Sequence, residues 1–167
     1  MLSASRVARC FLYLSGRQTE CDITPLKLQK LLYYAEGLSL ALRGKSLFGE
    51  PILAWQYGPV VREVYNTYEY AGRNSITCIV DIDENDIPKD EFDIIKTTMQ
   101  FYGSYSAEKL VQMTHGEYPY KITPRNHEIS REAIKTFFEA KIHTIVPPEI
   151  EDVAFQALAT ENALSWL

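Results

Sequence analysis

Residues 24–44, TPLKLQKLLYYAEGLSLALRG, read as one long helix with a signal at each end. The Thr24 hydroxyl can cap the first free amides, and Pro25 suits the first helical position, where its missing N–H and fixed φ cost nothing. Gly44 follows Arg43 as a left-handed terminator. Leu28, Leu31, Leu32, Ala35, Ser39 and Leu42 share one stripe, so the helix has a face to bury. Lys27 and Lys30 lie off that stripe near the helix start and, with Gln29, read as a solvated polar face or as partners of a nearby carboxylate. Tyr33 and Tyr34 are adjacent and point about 100° apart, which predicts one ring near the core and one near the rim. Glu36 stands mid-helix beside Gly37, with no second carboxylate at i+3 or i+4.

Working outward, residues 3–15 form a first amphipathic helix carrying Val7, Phe11 and Leu14, with Gly16 as its stop. Residues 46–57 look extended, broken at Gly49-Glu50-Pro51 by a turn or hairpin. There Leu53, Trp55 and Tyr57 alternate onto one face, with Trp55 expected in the core. Gly58-Pro59 repeats the proline-start logic and predicts a helix to about Tyr70. Residues 76–82, ITCIVDI, read as a strand. A helix opens at Ile87-Pro88 and stops at Gly103, and Ser106 caps a shorter one. Residues 114–129 read as a connector, and Ser130 starts the next helix. Val146-Pro147-Pro148 marks a linker ahead of an acidic tail with Glu149, Glu151, Asp152 and Glu161 and no basic residue. This tail either packs back on the core or docks a partner. The expected division is a domain over 1–145 and a C-terminal helical extension over 146–167.

With 46% hydrophobic and 23% charged residues, the chain has ordinary globular composition and can bury a core without staples. Its net charge of −5 disfavours a general nucleic-acid coat, because phosphate binding needs a basic surface. Three cysteines, Cys10, Cys21 and Cys78, form no C-x-x-C pair and point to a reducing compartment. No stretch reaches the length of a membrane span and no secretory leader is evident, so a cytoplasmic protein is expected.

The spacings that support catalysis are missing. There is no H-E-x-x-H, G-x-S-x-G, Walker loop or G-x-G-x-x-G. His115-Gly116-Glu117 matches half of a zinc-deaminase signature, without the cysteines that would hold zinc. Asp81-x-Asp83-x-Asn85 opens like a calcium loop but carries Asp86 at the glycine position and Phe92 at the bidentate-glutamate position. The seven acidic residues between Asp81 and Asp93 therefore read as a solvated loop before a helix whose N-terminal dipole favours them. No catalytic residue, metal ligand or cofactor is expected.

Three segments narrow the reading. They are ITPLKLQKLLYYAEGLSLALRGKSLF (23–48), EPILAWQYGPVVREVY (50–65) and LVQMTHGEYPYK (110–121). In order and spacing, over roughly residues 5–140, they resemble the SocA-like antitoxin, or Panacea, domain of toxin–antitoxin pairs and phage-borne proteins. The aromatic after the last proline is Tyr120 where the family pattern has tryptophan, and KITPRNHE replaces the usual stretch beyond it. The resemblance implies a mainly α, compact helical domain with a small antiparallel β element (α+β). It also implies a non-enzymatic antitoxin that neutralises a cognate protein toxin by direct contact. Chaperoning, or delivery to a ClpXP-type protease, would be the means besides occlusion. A homo-oligomer is open, while nucleic acid and membrane partners are not expected.

The partner-contact candidates are Lys27, Lys30, Tyr34, Tyr57, Gly58, Pro59, His115 and Tyr120. His115 is expected to hydrogen-bond the Trp55–Pro59 junction and clamp the second and third segments together. The alternative readings are a DNA-binding regulator of its own operon, since residues 1–45 carry seven bases against three acids, or an orphan phage-associated protein.

Overall fold

The helix read from residues 24–44 is the axis of the molecule. In the computed structural model, which describes residues 1–16, 22–77 and 80–145, α1 (Ala4–Gly16) leads into α2 (Pro25–Arg43). Thr24 caps α2 by accepting from the Lys27 amide at 3.2 Å. Gly44 ends it with φ +65° and donates to the Leu40 carbonyl at 3.1 Å. Around α2 pack α1, α3 (Arg62–Tyr68), α4 (Lys89–Tyr102), α5 (Ala107–Gly116) and α7 (Arg131–Ile145). The four-residue α6 (Tyr118–Lys121) bridges α5 and α7. The fold is mainly α with one small antiparallel hairpin, as expected.

Every residue from Lys27 to Leu40 is buried. The apolar stripe is therefore not a face but part of a fully sheathed rod, and the predicted polar surface at Lys27, Gln29 and Lys30 is corrected. Tyr33 and Tyr34 are both buried as well, at 0% and 1% exposure, so neither marks a rim. The reason is the number of neighbours. Five helices and a strand surround α2, leaving no side for water.

The hairpin consists of β1 (Leu53–Trp55) and β2 (Gly58–Val60), paired Leu53↔Val60, Ala54↔Pro59 and Trp55↔Gly58. Its turn is Gln56-Tyr57, not Gly49–Pro51, and α3 starts at Arg62 rather than Pro59. Gly58 adopts φ +104°, which closes the turn. Pro59 then serves as a strand residue at a position where no N–H is needed. On its other side β1 is flanked by residues 126–129. The Ala54 amide donates to the His127 carbonyl at 2.9 Å, and the Asn126 amide donates to the Ala54 carbonyl at 2.7 Å.

The strand expected over 76–82 is not formed by the described residues among them: 76, 77 and 80–82 are irregular, with Ile76 donating to the Ile23 carbonyl, while Cys78 and Ile79 lie outside the described residues. The linker at Val146-Pro147-Pro148, the extension over 146–167 and Cys21 also lie outside them. Cys10 is buried in α1, and desolvation pushes its thiol up to about 11 against the nearby Arg6 and Arg9. Asp83 opens a short turn by accepting from the Asn85 amide, but the acidic segment is not wholly solvated. Arg43 reaches Asp90 at 2.8 Å and the buried Glu91 at 3.5 Å.

Glycine 37 lets α7 approach α2. A Cβ there would run into the ring of Phe138, which is itself fully buried and held edge-on by Tyr33 at 5.7 Å. Gly37→Ala should therefore destabilise the fold by about 1–3 kcal/mol through overpacking, despite alanine's better helix propensity. Urea denaturation measures this, and an unchanged or higher midpoint would contradict the close approach.

Candidate functional site

Five polar side chains of α2 are buried, and each is satisfied by a group outside the helix. Lys27 Nζ donates to the Gly103 carbonyl at the end of α4. Gln29 Oε1 accepts the Val61 amide at 2.8 Å, and Lys30 Nζ donates to the Pro59 carbonyl at 3.0 Å. Glu36 accepts the Leu47 amide at 2.8 Å and the Arg131 Nε at 3.0 Å. Ser39 donates to the Lys45 carbonyl at 2.7 Å. A buried polar group without a partner costs more than the bond itself contributes, so these five contacts fix where the surrounding loops must lie.

The Gln29 and Lys30 contacts hold the second motif. Gly58 is required here twice over. Its φ is positive, and a Cβ would lie 2.7 Å from Lys30 Cε and 2.9 Å from Thr114 Oγ1. Among the described residues Lys30 reaches no carboxylate, and burial lowers its ammonium to about 7. Thr114, also buried, brings the end of α5 onto the same point. The strings KLQK, YGPV and MTH thus meet in one buried knot.

The third motif is tied separately. Tyr34 donates its hydroxyl to Glu117 Oε1 at 2.7 Å while its ring stacks on Tyr102 at 3.9 Å. The Tyr33 hydroxyl approaches the same carboxylate but makes no well-formed hydrogen bond, and Glu117 Oε2 has none either. Burial raises the Glu117 carboxyl to about 7, opposed by the Tyr34 and Tyr33 hydroxyls and the charge of Lys141. The Tyr34 phenol is raised by burial and by that carboxylate. Beside it opens a groove of about 540 Å³ lined by Tyr102, Lys109, Met113, Glu117, Phe137 and Lys141.

The expected His115 clamp is not made. His115 is exposed and stacks face to face on Tyr120, centroids 4.9 Å apart. Tyr120 is the clamp instead, donating its hydroxyl to the Trp55 carbonyl at 2.7 Å. Trp55 lies outside the core, half-buried, edge-on to Tyr65 at 5.1 Å with the Arg62 guanidinium 6.0 Å from its ring centre. Of the contact candidates, Lys27, Lys30, Tyr34, Gly58 and Pro59 are interior. Tyr57 is 60% exposed, His115 is exposed and Tyr120 is half-buried.

The family described as antitoxin SocA-like, Panacea domain, matches residues 28–121. The chain belongs to that family. Searches of curated proteins and of solved structures returned no match. The Panacea match runs from Leu28 in α2 to Lys121 at the end of α6, so it contains nearly the whole knot and stops before Arg131, which neutralises Glu36 from α7. An antitoxin role in general terms follows from membership. Among the described residues no helix is long and apolar enough to cross a membrane, and no three His, Cys, Asp or Glu side chains are grouped to hold a metal ion.

From sequence alone Gln29 reads as part of a solvated face, Glu36 and Glu117 have no evident partner, Thr114 offers only a cap, and Arg131 is not singled out. The one available signal was Glu36, an acid inside an otherwise apolar stretch, which calls for a distant base.

Glu117 gives a stability signature. Its carboxyl ionises near 4.5 unfolded and near 7 folded, so the native state holds the proton more tightly. Stability from this group is fully present below 4.5 and falls as pH rises from 4.5 through 7, after which it is flat. Lys30 acts in a separate window, adding stability as pH rises from 7 toward 10.5. Glu117→Gln should flatten the dependence between pH 5 and 7 and leave the alkaline limb intact, read from denaturation midpoints across pH. An acid limb unchanged in the variant would contradict the assignment.

Proposed function

We propose that this chain neutralises a cognate protein toxin by direct contact and performs no bond-making of its own. One observation supports this above others. Most side chains of the strings that carry the resemblance are consumed internally, while exposed aromatic and aliphatic side chains remain on the outside of the same elements. Tyr57 on the hairpin turn and Tyr118 and Ile122 at α6 are 60%, 61% and 49% exposed. Large exposed apolar groups on a rigid body are what a protein partner uses, because little side-chain freedom is lost on binding. Of the polar groups that would otherwise invite a catalytic reading, Lys30 is occupied as an internal tie and Glu117 is engaged through one oxygen by Tyr34.

The DNA-binding alternative loses part of its support. Of the six described bases in residues 1–45, Lys27 and Lys30 are buried and Arg43 is paired with Asp90, while Arg6, Arg9 and Lys45 are exposed, Arg6 and Arg9 donating to the Asp86 and Asp81 carbonyls. Half of the described positive charge there is thus withdrawn from any phosphate.

The test is co-expression with the product of an adjoining reading frame that arrests growth alone. This chain should restore growth and co-purify with that product as a stable complex. Toxin abundance then separates the mechanisms. It stays constant under occlusion or chaperoning and falls, only in protease-proficient cells, under delivery to a ClpXP-type protease. Arrest that persists in the presence of the folded chain would overturn the reading.

A further inference from the structure

We infer that the toxin-facing surface is the basic, aromatic ledge built from the hairpin turn, α6 and the loop up to His127, and that it fits an acidic face of the partner protein. This rests on the antitoxin reading and adds to it a location and a chemistry.

The ledge is one continuous and rigid piece. The Tyr120 hydroxyl joins α6 to the Trp55 carbonyl, and the amides of Ala54 and Asn126 pair β1 with residues 126 and 127. Asn126 takes a left-handed φ of +67°, which fixes the loop's return. Three of the six exposed large apolar side chains among the described residues, Tyr57, Tyr118 and Ile122, lie on it.

Its charge runs against the rest of the molecule. Residues 118–127, YPYKITPRNH, hold Lys121 and Arg125 and no acid, in a chain of net charge −5. Lys121 and Arg125 are exposed, and neither enters an ion pair among the described residues. Exposed histidines His115 and His127 flank them. Unpaired cations beside exposed aromatic rings suit carboxylates set among apolar side chains. Two cations are few for a phosphate backbone, whose affinity grows with the number of charges neutralised.

Recognition must go through side chains rather than strand addition. β1 is flanked on both sides, and on β2 Pro59 has no N–H while its carbonyl is taken by Lys30. No open edge is offered to an incoming strand.

The experiment is calorimetry between this chain and the toxin product against which it restores growth, at low and high salt. The double variant Lys121→Glu/Arg125→Glu should bind about tenfold or more weakly at low salt and lose most of the salt dependence. Its melting temperature should match the wild type, because both side chains are exposed and unpaired. Lys45→Glu, a charge reversal at an exposed site off the ledge, should bind as the wild type does. Unaltered affinity in the double variant overturns the inference while leaving the antitoxin reading standing. Nuclease-sensitive binding in the wild type also overturns it, in favour of a nucleic-acid partner. A wild-type chain that forms no complex overturns both.

Discussion

The structure depends on the sheathing of α2. A helix with neighbours on all sides would ordinarily be apolar throughout, yet this one carries Lys27, Gln29, Lys30, Glu36 and Ser39 inside. Each must find a partner or destabilise the fold, and the partners range from Lys45, just past the end of α2, to Arg131 in α7. The Gln29 bond to Val61 and the Lys30 bond to Pro59 span 32 and 29 residues, and the Glu36 bond to Arg131 spans 95. Apolar packing alone would collapse the chain around α2. The polar contacts select which loop lies where, since an alternative arrangement would strand a buried ammonium or carboxylate.

Much of this architecture was legible beforehand, because helix ends are written locally. Thr24-Pro25, Gly44, Ser106 and Gly103 each act within one turn of their own position, and all four mark real boundaries. What was not legible depends on partners far away in sequence. Periodicity separates apolar from polar positions but cannot tell how many elements surround a helix, so Lys27 and Lys30 looked solvated. Gly58-Pro59 fits a helix start and a strand turn equally well. The tie of Ala54 to residues 126 and 127 decides for the strand. Residues 76–82 carry a strand-like composition, yet the described ones among them, 76, 77 and 80–82, join no sheet, and composition reports propensity rather than pairing.

The candidate site divides along the same line. Most of the residues that make the chain recognisable, on α2, in YGPV and in MTH, are structural: Lys30, Gly58, Pro59 and Thr114 are spent on one another, while Tyr57 and His115 project outward. In the proposed reading, contact falls to what projects outward: Tyr57 from the turn that Gly58 closes, His115 and Tyr120 stacked beside it, and Tyr118 one turn away from Ile122. Such a division lets a fixed interior carry an outer surface whose chemistry can change without disturbing the fold, since exposed substitutions rarely alter stability much.

The central claim, that buried side chains of α2 anchor the surrounding loops, is tested most directly by native-state hydrogen exchange at the Val61 and Leu47 amides. Both donate to α2 side chains rather than to a helix or sheet ladder. If the anchors hold, these two loop amides exchange only through global unfolding, at free energies matching the core of α2. Exchange through local opening, at rates typical of surface loops, would contradict the account.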